Sequence, residues 1–264
     1  MTTLILPPRY SEDSIALYQA ASVENWQVER LQGWRIPENF NHDRNFAIYG
    51  ESLFGAVVSE QLNLCLIEPQ FDWLSQIPEN FKLRKIQCVT FSQAKEFDQA
   101  AFFKPADDKC FPAKIYQSGK DLSEYSSLSE NTAVIISEAV KWNAEFRFFI
   151  ANGEIQTFSP YSRNGELIKN EDNEWLAADA ENQQALDFCQ KLLDECPELI
   201  PPAVVIDIGE IIGKGWAVVE ANPCWASGIY GCNPAKVLKT IKRACLKVGE
   251  VSEIDTKWII ERKD

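Results

Sequence analysis

The 264-residue chain carries 26 Lys and Arg against 39 Asp and Glu, a formal net charge of −13, with 45% hydrophobic and 25% charged residues. This composition, with 8 Trp, 15 Phe and 7 Tyr, supplies a packed interior and excludes a dominantly disordered chain. The negative balance argues against nucleic acid or an anionic membrane as partner, and the single histidine, His42, excludes multi-histidine metal centres. Any serine triad would have to use that one residue.

The eight cysteines are scattered without a C-x-x-C pair, which reads as buried thiols of a cytoplasmic protein rather than a disulfide framework or zinc site. Leu4, Ile5 and Leu6 are stopped at once by Pro7 and Pro8, too short a run for a signal peptide, and nothing approaches a membrane span.

In chain order, residues 3–6 and 64–67 read as short apolar strands flanking helices over 11–28 and 51–62. A β-rich stretch follows, with pieces at 85–91, 101–105, 111–117 and 132–138 and a short helix near 92–97. Residues 145–150 and 154–158 face each other across Asn152-Gly153, a strong hairpin signal. A helix over 181–196 precedes a second hairpin, 203–212 with 216–221, turning at Gly213-Lys214-Gly215. Asn233-Pro234 starts a last helix expected to reach about residue 248. Residues 161–175, long and polar, are expected to contribute to a substrate pocket.

Three clusters carry chemistry. Alternation along the second hairpin sets Asp207 on one strand and Glu220 and Asn222 on one face of its partner, so three hard oxygen ligands can converge on a Mg²⁺ ion. Lys104 ends an apolar strand and Lys109 follows a short turn; two ammonium groups there can straddle a polyphosphate. Glu138 ends a strand before an exposed linker, and Glu145 and Arg147 share a face of the next strand. Arg147, inside an apolar run, is expected to pair with Glu145 or to face a ligand.

The ordered set of Lys104, Glu138, Glu145, Arg147, Asp207 and Glu220-Ala221-Asn222 resembles the ATP-grasp superfamily over about residues 85–248. More narrowly, residues 103–109, 145–149 and 220–230 look like the clade of bacterial and phage ATP-grasp proteins named for an arginine and two lysines. The resemblance implies an α+β chain of ATP-grasp fold, with two α+β subdomains at 83–140 and 141–264 clasping ATP behind a small α/β lobe at 1–82. It implies an ATP- and Mg²⁺-dependent ligase joining a small-molecule or peptide carboxylate to an amine. By position, Lys104 and Lys109 would contact ATP phosphates, and Glu138 and Glu145 would serve the adenine linker and the ribose. Arg147 would face the transferred phosphate or acyl intermediate, while Asp207, Glu220 and Asn222 hold Mg²⁺. Ser227, Gly228 and Tyr230, just after the metal strand, are candidates for the acceptor pocket; Trp225 is expected to be ordinary packing. No long glycine-rich phosphate loop is present. A phosphotransferase on the same scaffold and a non-catalytic nucleotide-binding module are the alternatives.

Overall fold

The computed structural model describes residues 1–38, 40–106 and 110–260. The chain opens with a parallel three-stranded sheet, order β2-β1-β3, built from β1 (Thr2–Leu6), β2 (Gln27–Arg30) and β3 (Asn45–Ile48). Helix α1 (Glu12–Val23) starts where Ser11 and Ser14 cap each other reciprocally, with Glu12 and Asp13 in its first turn. It stops five residues short of the expected end. Asn25 takes a left-handed φ of 57° and turns the chain into β2, whose residues are claimed by pairing with β1. Neither β2 nor β3 is marked by alternation in the sequence; both exist because β1 offers them a ladder.

Helix α2 (Ser52–Gln61) and strand β4 (Leu64–Leu66) follow. β4 does not join the opening sheet but pairs antiparallel with β14 (Cys245–Lys247), so the last long helix, α7 (Pro234–Ala244), ends earlier than its pattern suggests. Short helices α3 (Trp73–Gln76) and α4 (Glu79–Lys82) lead into a four-stranded antiparallel sheet, order β5-β8-β6-β7. Its strands are β5 (Ile86–Thr90), β6 (Ala101–Pro105), β7 (Lys114–Tyr116) and β8 (Ala133–Ser137), with α5 (Phe91–Lys95) after β5. Phe91, Phe103, Phe111, Tyr116 and Leu122 form its own apolar core.

The second half is a five-stranded antiparallel sheet, order β11-β10-β9-β12-β13. It contains both expected hairpins, β9 (Trp142–Ala151) with β10 (Glu154–Arg163), and β12 (Ala203–Ile211) with β13 (Gly215–Asn222). Positive φ at Asn152, Gly153, Gly213 and Gly215 makes the two turns. β11 (Glu166–Leu167) is a short edge, α6 (Asp179–Glu195) packs on β10, β12 and β13, and α8 (Glu253–Thr256) lies near the end. Phe146, Phe148 and Phe149 on β9 are wholly buried, each worth about 1.5–3 kcal/mol. They belong to one core that also takes in Leu4, Ile5 and Phe54 of the opening lobe. Two cores thus flank the space between the four- and five-stranded sheets.

Cys189, Cys196, Cys224, Cys232 and Cys245 are buried as expected, whereas Cys65, Cys88 and Cys110 are partly exposed. No helix among the described residues is long and apolar enough to cross a membrane.

Candidate active site

Ladder register places Arg147 of β9 opposite Asp207 of β12, and Asp207 opposite Glu220 of β13, a row across three strands on one face. Arg147 grips Asp207 with two parallel bonds, Nε to Oδ1 at 2.9 Å and Nη2 to Oδ2 at 2.7 Å. Both side chains are buried, Asp207 completely. Burial pushes the Asp207 carboxyl up; the Arg147 charge and its two bonds oppose that, and the fork geometry is that of an ionised pair.

The four-stranded sheet supplies the next charge. On β6, Ala101 and Phe103 turn into that sheet's core, which sends Phe102 and Lys104 to the opposite face, toward the five-stranded sheet. Lys104 Nζ donates to Glu220 Oε2 at 2.7 Å, and Asn222 Nδ2 donates to Glu220 Oε1 at 2.9 Å. Burial works to raise the Glu220 carboxyl, but the Lys104 charge and the bonds from Lys104 and Asn222 outweigh it and hold the group at about 2. Two carboxylates and two cations therefore alternate in space.

Three cavities meet at Lys104 and Glu220. One of about 490 Å³ lies between the sheets, with Phe102, Ile135 and Val219 as apolar walls and Glu138, Glu145 and Arg84 at its polar margin. A second of about 640 Å³ is bordered by Arg147, Ser227, Gly228 and Asn222. The third, about 510 Å³, opens toward Glu51, Gln70 and Phe71 of the first lobe. His42 is exposed, edge-on to Phe40, and borders none of them.

Glu138 accepts from Lys214 Nζ at 2.6 Å, and that bond is the foremost reason its carboxyl lies below the ordinary range. Glu145 is not paired with Arg147. It accepts instead from Tyr161 Oη at 3.0 Å and Ser162 Oγ at 2.8 Å, because β10, not β12, presents partners to that end of β9. Gly228 offers its carbonyl to Arg147 Nη1 at 3.0 Å, and Ser227 Oγ donates to Pro223 O. Tyr230 stacks on Tyr161 with centroids 4.7 Å apart, and the Arg147 guanidinium lies 4.8 Å from the Tyr230 ring centre. Trp225 is a packing residue: wholly buried, it donates from Nε1 to Ile67 O and leaves only a glycine's room at Gly55. Lys109 lies outside the described residues.

Sequence reasoning missed Arg84, Asp13 and Tyr49; Tyr161 opens the polar stretch expected to contribute to a substrate pocket. Arg84 donates to the Val218, Val219 and Lys82 carbonyls, bridging the start of β5 to β13; burial lowers its guanidinium to about 10. Its only sequence signal is a basic residue directly before an apolar strand. Asp13 Oδ2 accepts from Tyr49 Oη and Ile229 N, contacts spanning 36 and 216 positions that no local pattern announces.

The oxygen set suits a hard divalent cation in part. Glu220 is ionised, Glu220 and Asn222 both border the cavities, and an amide oxygen is a fitting neutral ligand. Asp207 borders none of the three cavities and spends two of its roughly four lone-pair positions on Arg147, leaving two.

Residues 81–240, more than half of the chain, match the model of an ATP-grasp domain family, the second family of the clade named for an arginine and two lysines. The chain belongs to the ATP-grasp family. No curated protein matches it in sequence. Among solved structures, a RimK domain ATP-grasp protein from Sphaerobacter thermophilus is similar at a TM-score of 0.58 and 12% identity, over 92% of this chain and 98% of that one. A carboxyaminoimidazole synthase from Aspergillus clavatus in complex with ADP reaches 0.55 at 10% identity, over 91% and 76%. D-alanine–D-alanine ligase from Bacillus anthracis complexed with ATP reaches 0.50 at 14% identity, over 92% and 95%. At such identities these likenesses show the shared ATP-grasp fold.

Proposed function

We propose that this ATP-grasp chain joins a small-molecule or peptide carboxylate to an amine, using ATP and Mg²⁺ and passing through an acyl phosphate. The observation that carries the reading is the Lys104–Glu220 contact, where the two sheets meet and three adjoining cavities share these two residues. In this reading residues 83–140 and 141–264 are the two clasping subdomains, and 1–82 the lobe before them.

The nucleoside occupies the cavity between the sheets, its base at the linker beside Glu138 and its ribose near Glu145. Lys104, with Lys109, neutralises the phosphates as a point charge. Glu220 and Asn222, with Asp207 behind them, are the residues that would hold Mg²⁺, which when bound supplies charge neutralisation at the phosphates. A carboxylate oxygen attacks the γ-phosphorus and ADP leaves; the amine then attacks the acyl carbon, phosphate leaves, and the amine's surplus proton passes to phosphate or water. Arg147 steadies the charge on the transferred phosphoryl group and acyl oxygen, with Ser227, Gly228 and Tyr230 lining the acceptor side. Position and charge supply the catalysis, and no histidine or cysteine is needed.

The test is ADP release dependent on Mg²⁺, a carboxylate and an amine together, with hydroxylamine able to replace the amine and yield a hydroxamate. ADP formed equally well without an amine or hydroxylamine contradicts the reading. A phosphorylated product that survives hydroxylamine assigns the chain to phosphotransfer instead.

A further inference from the structure

We infer that Asp13, in the first lobe, is the positioning residue for Arg147, acting through the Gly228–Ile229–Tyr230 turn; the inference rests on the role given to Arg147 above. Asp13 sits in the first turn of α1, beside the carboxyl ends of β1 and β3. The strand order switches sides there, since the chain leaves β1 toward β2 on one side and returns to β3 on the other, which makes a crevice. One carboxylate oxygen of Asp13, Oδ2, takes both a bond from Tyr49 Oη at 3.0 Å and one from the Ile229 amide at 3.1 Å. Tyr49 belongs to the first lobe and Ile229 follows β13, so one oxygen ties the lobe to the turn.

The two residues flanking Ile229 are the ones that touch Arg147. Gly228 accepts from its Nη1, and the Tyr230 ring lies against its guanidinium. A Cβ at Gly228 would stand 3.5 Å from Asp13 Oδ2 and 3.6 Å from Arg147 Nη1, so the acid and the base both border the space that the missing side chain leaves. Tyr230 has a φ of +47°, a left-handed backbone that a bulky residue keeps only when its surroundings hold it. What holds it here is the Asp13 bond to the preceding amide and the stack on Tyr161, whose ring also lies 5.5 Å from the guanidinium. Arg147 therefore has its Nε and Nη2 fixed by Asp207 and its Nη1 edge fixed by a turn that Asp13 sets. Removing the acceptor at position 13 releases that edge without touching Asp207 or Lys104.

The measurement is nitrogen-15 NMR of the arginine Nε–H groups in the full chain, with the Arg147 signal assigned by its loss in Arg147→Lys. It needs no turnover, so failure of the ligase reading leaves it intact. Wild type is expected to show a slowly exchanging Arg147 Nε–H shifted by the two tyrosine rings. Asp13→Ala is expected to speed its exchange by about 5- to 30-fold and to shrink the ring-induced shift, the bond to Asp207 being retained. Asp13→Asn, which keeps an acceptor oxygen but not the charge, is expected to restore the wild-type signal. An unchanged signal in Asp13→Ala overturns the inference, as does Asp13→Asn behaving like Asp13→Ala. Should Asp13→Ala fail to fold, Tyr49→Phe serves: it removes the bond that orients Oδ2, a smaller change in the same direction is expected, and no change overturns the inference.

Discussion

Arg147 and Asp207 stand directly opposite each other on adjacent strands and are joined by two hydrogen bonds of 2.9 and 2.7 Å, with almost no exposure of either side chain. A carboxylate expected to face a metal thus gives two of its lone-pair positions to an arginine expected to face a phosphate. The pair is a preset charge arrangement beside the cavity that Arg147 borders.

Breaking that pair strands a buried charge. Asp207→Asn is expected to lower unfolding free energy by about 3–5 kcal/mol in urea titrations, because Arg147 loses its counter-charge in a dry site. Replacing both, Asp207→Leu with Arg147→Met, is expected to cost less than either single change, since no orphaned charge remains. A double variant as damaged as the sum of its parts shows the two residues to be energetically independent.

The second pair gives a pH signature. Glu220 is held at about 2 in the folded chain against an ordinary value of 4.5, so its contribution is complete above 4.5 and is lost as pH falls through that window toward 2. The stability difference between wild type and Glu220→Gln is therefore expected to be flat at neutral pH and to narrow steadily over that acid range. Lys104→Met removes the foremost lowering cause and leaves the Asn222 bond and the Arg147 charge, so in this background the acid-range narrowing is expected to shrink. A pH-independent gap contradicts the assignment.

Nucleotide binding is read most simply by melting. Mg-ATP at a hundred times its dissociation constant stabilises a folded chain by about 2.7 kcal/mol and raises the midpoint accordingly. Wild type is expected to show this rise, and Glu220→Gln with Asn222→Ala to lose the part that depends on Mg²⁺. Equal responses in both proteins remove those two residues from the metal set.

Much of this site is written in short-range patterns. The thirteen-position step from Asp207 to Glu220, followed by Asn222, survives because a tight hairpin turns spacing into adjacency. Lys104 was legible because alternation on β6 left it on the face opposite Phe103. The partners were not. Lys104 meets Glu220 across 116 positions and Asp13 meets Ile229 across 216, and nothing local encodes which sheets face each other. The same blindness hid β2, β3 and β14, short segments that become strands only beside a neighbour formed elsewhere. It also lay behind the expectation that Arg147 pairs with Glu145 or faces a ligand: Arg147 and Glu145 share a strand face, but the carboxylate that Arg147 grips is on β12.

The acyl phosphate itself can be tested without the amine. With ATP carrying oxygen-18 at the β–γ bridge, and with Mg²⁺ and the carboxylate substrate but no amine, reversible transfer of the γ-phosphoryl group lets the freed β-phosphate rotate before ATP re-forms. The account predicts that the label scrambles into the non-bridging β positions only when the carboxylate is present, and that Arg147→Ala slows the scrambling. Label that stays in the bridge under these conditions, in a preparation that forms amide once the amine is added, would contradict it.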